Sequence, residues 1–584
     1  MTDTEEKDNP GARRLDRRSF VKGGLRVGGA VAIGALGEGL VATTAPGRRR
    51  IGPYRRSSQP NLLVVVVDQL RSPRWFGAGR RGGSVLAPAA NSLAQGGVSF
   101  ARHYTASNDC SPARATLVTG LHTHQTGCMI TGASTLNPGF PTWGAMLADL
   151  GYRSWWFGKW HLTSSDSHWN EVDGPPTLAR YGFAGGTYPS PNGAPGQGWR
   201  VDPHIAGQFE DWLTQEATDE PWCTTVSFVN PHDIAWWWRW SDRFAEEAVA
   251  ARIVRGLPAN FETPAQLEAR GKPRVQRSLQ DTSANSFGVV PYEGAGFASA
   301  WTPFLDLYVK LQLAVDTQVQ RVLDALASRP QVLANTVVVF TSDHGEYGAS
   351  HGLRGKGAGA YEEAIRVPLI IADHTGTFGL VPGVRDQLSS SVDVAPLLLT
   401  LASQGTGAWR QSPEYEHLAT RPDLLAMARD PAHPGRRFAL HATDEVLTEY
   451  ALLPYAADAP LHITAMVTPT HKYAAYSHWR AGTMTPVPET EEHELYDYTT
   501  RGGQLEIANQ TGAHPQEEAL HAQLLAAVDS ELHAPLPARL ARIQRDGLSR
   551  YERLAAKEEV RSSLRRLKTV ERIVAGIEQR MPLS

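Results

Sequence analysis

The chain has 584 residues, 41% of them hydrophobic and 20% charged, and its 57 Lys/Arg against 60 Asp/Glu leave a net charge of −3. Such a balance suits one large folded domain with a smaller companion and argues against a nucleic-acid-binding surface. Three cysteines are too few for a disulfide scaffold, and Cys128 and Cys223 lie in apolar contexts that suit buried thiols, with a bridge between them left open.

Residues 1–45 form a leader. Arg17-Arg18-Ser19-Phe20-Val21-Lys22 precedes a Gly-rich, weakly apolar stretch at 23–36 that is too short to span a bilayer. This is the pattern of a twin-arginine signal, so the Tat translocon is an expected partner and the periplasm or the cell exterior the expected destination. Cleavage is expected after Ala45, although no Ala-x-Ala is present there. An uncleaved leader would act as a membrane anchor.

Residues 57–404 read as the main domain. Apolar, β-branched runs at 61–67, 152–157, 224–229, 336–341 and 367–372 alternate with helical stretches such as 143–150, 304–328 and 392–402. That alternation predicts an α/β fold, a large, mostly parallel sheet sandwiched by helices. Ligands of such sheets gather where the strands end. The first run ends in Asp68-Gln69 and the fourth in Ser342-Asp343-His344-Gly345-Glu346, so two strand ends would bring Asp/Gln and Asp/His to one rim as an oxygen-rich cation site. Either pair alone could equally be a turn or a helix cap. Gly158-Lys159-Trp160-His161 and Asn230-Pro231-His232-Asp233 follow two further strands, and Gly355-Lys356-Gly357 lies downstream.

Two segments fit this scheme less closely. Trp236, Trp237, Trp238 and Trp240 cluster just after His232, and residues 257–300 look like a long insertion at the rim. The tryptophans could hold a quaternary ammonium group by cation–π contact, stack on a sugar or aryl ring, or pack the insertion onto the domain. Residues 405–435, rich in Pro, Gly and charge, read as a linker or lid. Residues 436–534, with short alternating runs at 461–468 and 472–476, read as a smaller α+β domain. In the tail, 535–584, twelve Lys/Arg face six Asp/Glu, and Leu564, Leu567, Val570, Ile573 and Ile577 recur at helical spacing. It is expected as a basic amphipathic helix packed on its own body or on a second subunit of a homo-oligomer.

The densest signal is Cys110-Ser111-Pro112-Ala113-Arg114 with Thr119-Gly120 downstream. It resembles the Cys-x-Pro-x-Arg signature of type I sulfatases, members of the alkaline phosphatase superfamily, and the Asp68, Lys159, His161, His232, Asp343 and Lys356 elements follow in that family's order. The resemblance implies an alkaline-phosphatase-like large domain with a smaller C-terminal domain and the hydrolysis of a small-molecule sulfate ester. It also implies that Cys110 is oxidised to formylglycine by a formylglycine-generating enzyme. In the family, Lys159 would contact the formylglycine hydrate and Lys356 the sulfate. His161 and His232 would handle protons at sulfate release and at the leaving group. Asp68, Gln69, residue 110, Asp343 and His344 would hold one divalent metal ion, calcium or manganese.

Many sulfatases carry Asp-Asp and Asp-Asn at the metal corners. The Asp68-Gln69 and Asp343-His344 pairs are closer to choline-sulfatase and phosphonate monoester hydrolase, and an imidazole ligand favours manganese over calcium. A phosphonate or phosphate ester hydrolase is the neighbouring alternative. A non-catalytic binding protein on a sulfatase scaffold would be expected to have lost some of these residues, and none is lost.

Overall fold

A computed structural model describes residues 41–43, 59–72, 87–163, 176–217, 220–237, 254, 256–446 and 455–557. The twin-arginine segment, Trp238, Trp240 and the apolar positions from Leu564 to Ile577 lie outside the described residues.

Among the described residues the main sheet has nine strands: β1 (Val41–Thr43), β2 (Asn61–Val67), β3 (Val98–Tyr104), β4 (Arg153–Gly158), β5 (Gly185–Tyr188), β6 (Trp222–Phe228), β7 (Thr336–Ser342), β8 (Leu369–Asp373) and β9 (Gly383–Ser390). They lie in the order β1-β5-β4-β6-β2-β7-β8-β3-β9. From β5 to β7 every pairing is parallel, with β2 central between β6 and β7. All seven residues of β2 and all seven of β7 are buried, as continuous apolar runs require in a sheet covered on both faces. Side-chain alternation divides β2 between two cores. Leu62, Val64 and Val66 pack with Trp143, Met146 and the 394–402 helix, while Leu63, Val65 and Val67 face Ile205, Phe209, Val315 and Val319.

The sheet is mostly parallel as expected, with two exceptions: β1 runs antiparallel to β5, and β8 runs antiparallel to both of its neighbours. Between β7 and β8 the chain turns back through site loops holding only one turn of α-helix, Glu362–Ile365. With no long crossover helix to carry it to the other end of the sheet, it must re-enter in reverse. The strands at 98–104, 185–188 and 383–390 were not expected, since two of them are only partly buried and carry no continuous apolar run.

Residues 405–435 are no loose linker. Trp409, Tyr415, Leu418, Leu424 and Met427 belong to the same core as the 394–402 helix. Beyond them, β10 (Ala439–Thr443), β11 (His462–Val467), β12 (His471–Trp479) and β13 (Pro486–Asp497) form an antiparallel sheet in sequential order. The Glu517–Ala527 helix covers it through Leu520 and Leu524. The described part of the tail is helical over 538–557 and packs on its own body. Tyr551 is buried with Met129 and Ile130, and Gly547 approaches so closely that a Cβ on Gly127 would lie 2.6 Å from its carbonyl carbon.

Candidate active site

Cys110 begins the helix Cys110–Thr119, all ten residues of which are buried. Asp109 is extended before it, Pro112 falls in the first turn where no intrahelical N–H is required, and Gly120 closes it in the left-handed conformation at φ +73°. The helix N-terminus directs its partial positive charge at the Cys110 side chain.

Two strand ends meet this helix. Asp68 follows β2 and Asp343 follows β7, and both are fully buried. Arg114 lies between them, with Nη2 2.8 Å from Asp68 Oδ2 and Nε 2.9 Å from Asp343 Oδ2. Its Nη1 donates to the Lys159 carbonyl (2.6 Å) and to Ser227 Oγ (3.0 Å). Burial alone would lower the Arg114 pKa, but Asp343 and Asp68 outweigh it and raise it. Asp68 is the converse case. Burial would raise it, yet Lys159, whose Nζ is 2.7 Å away, with His232 and Arg114, holds it well below the usual carboxylate range.

The donor atoms of Asp68, Cys110, Asp343 and His344 all lie within 4.8 Å of one another. His344 Nε2 is 3.2 Å from Cys110 Sγ and 3.8 Å from a carboxylate oxygen of each aspartate. Such separations match neighbouring ligands around a single ion. Asp343 Oδ2 faces Arg114 Nε at 2.9 Å and, among the described residues, makes no hydrogen bond, so it keeps a lone pair for a cation. Burial pushes His344 down to about 4, which leaves a neutral imidazole. Two carboxylates, a neutral nitrogen and the residue 110 side chain fit one divalent metal ion.

Four basic side chains complete the cluster. Lys356 Nζ lies 3.0 Å from Cys110 Sγ and Lys159 Nζ 3.6 Å from it. A side chain at Gly158, whose φ is +94°, would strike the Ser227 carbonyl oxygen at 1.9 Å, so glycine is required where the chain turns to present Lys159. His232 Nδ1 is 2.9 Å from Gln69 Oε1 and 3.2 Å from Lys356 Nζ, while its Nε2 is buried with no partner among the described residues. Burial first, then Lys159 and Lys356, depress His232 well below the usual imidazole range. His161 has φ +55° and is depressed likewise, by burial and then by Lys159.

Gln69 is close to the metal-type donors but its amide is committed elsewhere. Its Oε1 accepts from Lys356 Nζ (2.8 Å) and its Nε2 donates to Glu346. Glu346 is the residue that sequence reasoning missed. Its Oε1 also accepts from the backbone N–H groups of Gly348 (3.1 Å) and Gly355 (2.7 Å), so this one buried carboxylate straps the Lys356 loop to Gln69. The available signal was its place three residues after Asp343. Trp236 and Trp237 are both buried and both line a cleft beside His232 and Lys356. Trp236 donates to the Gly193 carbonyl (2.8 Å), and Trp237 packs on Phe304 with ring centroids 5.2 Å apart.

The sulfatase family model matches residues 60–404. The chain is similar to an uncharacterized sulfatase, YidJ, of Escherichia coli (strain K12), at 29% identity over 372 residues, 59% of this chain and 68% of that one. It is similar to the choline-sulfatase of Rhizobium meliloti (strain 1021), at 26% over 391 residues with the same coverages of 59% and 68%. In fold it is similar to a phosphonate monoester hydrolase from Silicibacter pomeroyi, with TM-score 0.60 at 20% identity, covering 81% of this chain and 96% of that one. A putative sulfatase structure from Bacteroides thetaiotaomicron gives TM-score 0.60 at 21% identity over 82% and 93% of the two chains, and the shared architecture is alkaline-phosphatase-like. The family match spans more than half of the chain and contains every side chain of this cluster, and the chain therefore belongs to the sulfatase family of sulfuric ester hydrolases.

Proposed function

We propose that hydrolysis of sulfate monoesters here runs through a formylglycine formed from Cys110. The observation that carries this is the convergence of Lys356, Lys159 and His344 on one sulfur at the start of a buried helix, at 3.0, 3.6 and 3.2 Å. A thiol offers one nucleophilic atom, whereas the hydrated aldehyde offers two hydroxyls on one carbon: one attacks sulfur, and the other then loses its proton and re-forms the aldehyde as the C–O bond to the sulfated oxygen breaks and sulfate leaves.

Lys356 and Lys159 supply fixed positive charge for the non-bridging sulfate oxygens, where charge develops in the transition state. His232 presents Nε2 to the leaving oxygen as proton donor, and the negative charge of a bound ester opposes the depression that Lys159 and Lys356 impose on it. His161 takes the proton from the second hydroxyl when sulfate leaves. Arg114 holds Asp68 and Asp343 at the spacing of metal ligands, and Glu346 holds the Lys356 loop. Asp68, Asp343, His344 and residue 110, with Gln69 as a further candidate, would bind the divalent ion, which supplies Lewis-acid charge to the nucleophile and to a substrate oxygen.

Mass spectrometry of the peptide containing residue 110, from active protein, tests the modification; active protein with only unmodified cysteine would refute it. Relative kcat/KM on aryl sulfates, choline sulfate, sugar sulfates and a phosphonate monoester tests the reaction. The same cations would hold a phosphonate, and the fold likeness to a phosphonate monoester hydrolase makes that substrate the necessary competitor. We also propose that the leader directs Tat export. Arg17→Lys with Arg18→Lys should keep the enzyme in the cytoplasm, and unchanged export would refute it.

A further inference from the structure

A cleft leads away from His232 and Lys356, walled by Trp236, Leu279, Phe287 and Tyr455, and Arg354 is part of its lining. Arg354 is only 8% exposed. Its Nη2 donates to the Gly288 carbonyl (2.9 Å), and its guanidinium carbon lies 5.9 Å from the centroid of the Trp237 ring. Among the described residues Nη1 is buried with no hydrogen-bond partner and no carboxylate forms an ion pair with this side chain, the charge of Glu346 acting on it only from farther away. Burial pushes its pKa down to about 10, so the group remains a cation at neutral pH. Buried arginines are ordinarily paired with an anion, because a desolvated charge with unused donors is costly. The carboxylate in the cleft lining, Asp109, already accepts a hydrogen bond from Thr443 Oγ1 (2.9 Å).

The position of Arg354 sets what such an anion would be attached to. It stands two residues before Lys356 on the loop that Glu346 secures through Gly355 N, and Tyr347 N donates to the Gly355 carbonyl (2.8 Å). Arg354 and Lys356 line the same cleft, so an alcohol whose sulfate sits on Lys356 can carry an anion to Arg354, and the aromatic walls suit the faces of a ring between them. A quaternary ammonium in the same place would have Arg354 and Lys356 against it.

We infer that the cleft receives the leaving alcohol, that Arg354 reads it through a carboxylate, and that the substrates are sulfate esters of cyclic hydroxy acids. The assignment rests on the sulfate ester hydrolysis proposed above and adds the class of alcohol.

Two matched pairs test it and separate the two sources of such a ring. One is 3-carboxyphenyl sulfate against 3-carbamoylphenyl sulfate, and the other is a sulfated uronic acid methyl glycoside against its methyl ester. Wild-type enzyme should favour the acid in one pair by roughly 10- to 100-fold in kcat/KM, the size of a charge-assisted bidentate contact. Arg354→Gln should abolish the preference, and Arg354→Lys should keep only part of it. Should the glutamine variant fold poorly, inhibition of wild-type enzyme by 3-hydroxybenzoate against 3-hydroxybenzamide, and by the free uronide against its ester, reads the same contact without a mutation. Turnover of both pairs without discrimination, a preference that survives Arg354→Gln, or a higher kcat/KM on choline sulfate than on either acid would overturn the role of Arg354. Absence of turnover on every sulfate ester would instead defeat the hydrolase reading on which it stands.

Discussion

Removing Arg114 should destabilise the metal-free protein far more than the metal-loaded one. Arg114 is fully buried between Asp68 and Asp343 at 2.8 and 2.9 Å, and it also satisfies the Lys159 carbonyl and Ser227 Oγ. Arg114→Met leaves one pair of buried like charges compensated by Lys159 alone, a loss of about 3–5 kcal/mol by the usual cost of breaking a buried ion pair from one side. A divalent ion between the two carboxylates restores the missing charge. What then remains is one unsatisfied acceptor, Ser227 Oγ, at about 1–3 kcal/mol, because Trp156 Nε1 still donates to the Lys159 carbonyl (3.0 Å). An unfolding entropy of about 2 cal/mol/K per residue makes each kcal/mol worth roughly 1 °C in a domain of this size. Melting scans at one fixed heating rate, with EDTA and then with saturating Mn²⁺ or Ca²⁺, should show the variant's deficit shrinking on addition of metal. The variant should also bind the ion more tightly than wild type in a calorimetric titration. A deficit of equal size with and without metal would show that the carboxylates do not share a cation site and would refute the reasoning.

Four further outcomes follow from the same geometry. Cys110→Ala should abolish sulfate ester turnover while keeping the melting temperature within a few degrees of wild type, and Cys110→Ser should trap sulfate on the introduced hydroxyl, visible as a stable +80 Da adduct by intact-mass analysis, because one hydroxyl can accept sulfate but has no second oxygen to expel it. His344→Asn should shift metal preference from Mn²⁺ towards Ca²⁺, read by metal analysis of protein purified without added ion; indifference would remove the imidazole argument. Glu346→Ala should lower kcat by about 10²-fold with a smaller change in KM, as expected when a positioning contact is lost, and Glu346→Gln should recover part of that, whereas an activity loss fully explained by unfolding would leave Glu346 a structural residue only. Glu531 is held well below the usual range because Arg436, His122 and Arg421 outweigh its burial, so its contribution is fully present above the unfolded-state pKa and is lost as pH falls through the folded value; Glu531→Gln should therefore cost about 3 kcal/mol from pH 5 to 8, with the difference from wild type shrinking below about pH 4.

The sequence alone determined what is written locally. A strand buried on both faces needs an unbroken apolar run, so 61–67 and 336–341 were legible as strands, and with them the placing of Asp68 and Asp343 at one rim. The Cys110 element combines an N-terminal proline, a helix and a closing glycine within eleven residues, and its spacing to Arg114 is a property of one helical turn. Lys159, His161, His232 and Lys356 were legible as candidates because each follows a strand or a glycine turn that displays it. What the tertiary structure decided depends on side-chain direction and on which distant segments meet. Gln69 stands next to a metal-type aspartate in sequence, yet its positive φ turns the amide to Lys356, His232 and Glu346. The roles of Glu346 and Arg354 are not legible locally, since one works by joining loops that are far apart in the chain and the other is notable only for the partner it lacks among the described residues. The reversal of β8, the packing of 405–435 into the core and the seating of 538–557 on its own body are likewise non-local. The last two are settled by the apolar surface that a segment can cover once the sheet exists, and the first by a connection with too little helix to cross the sheet.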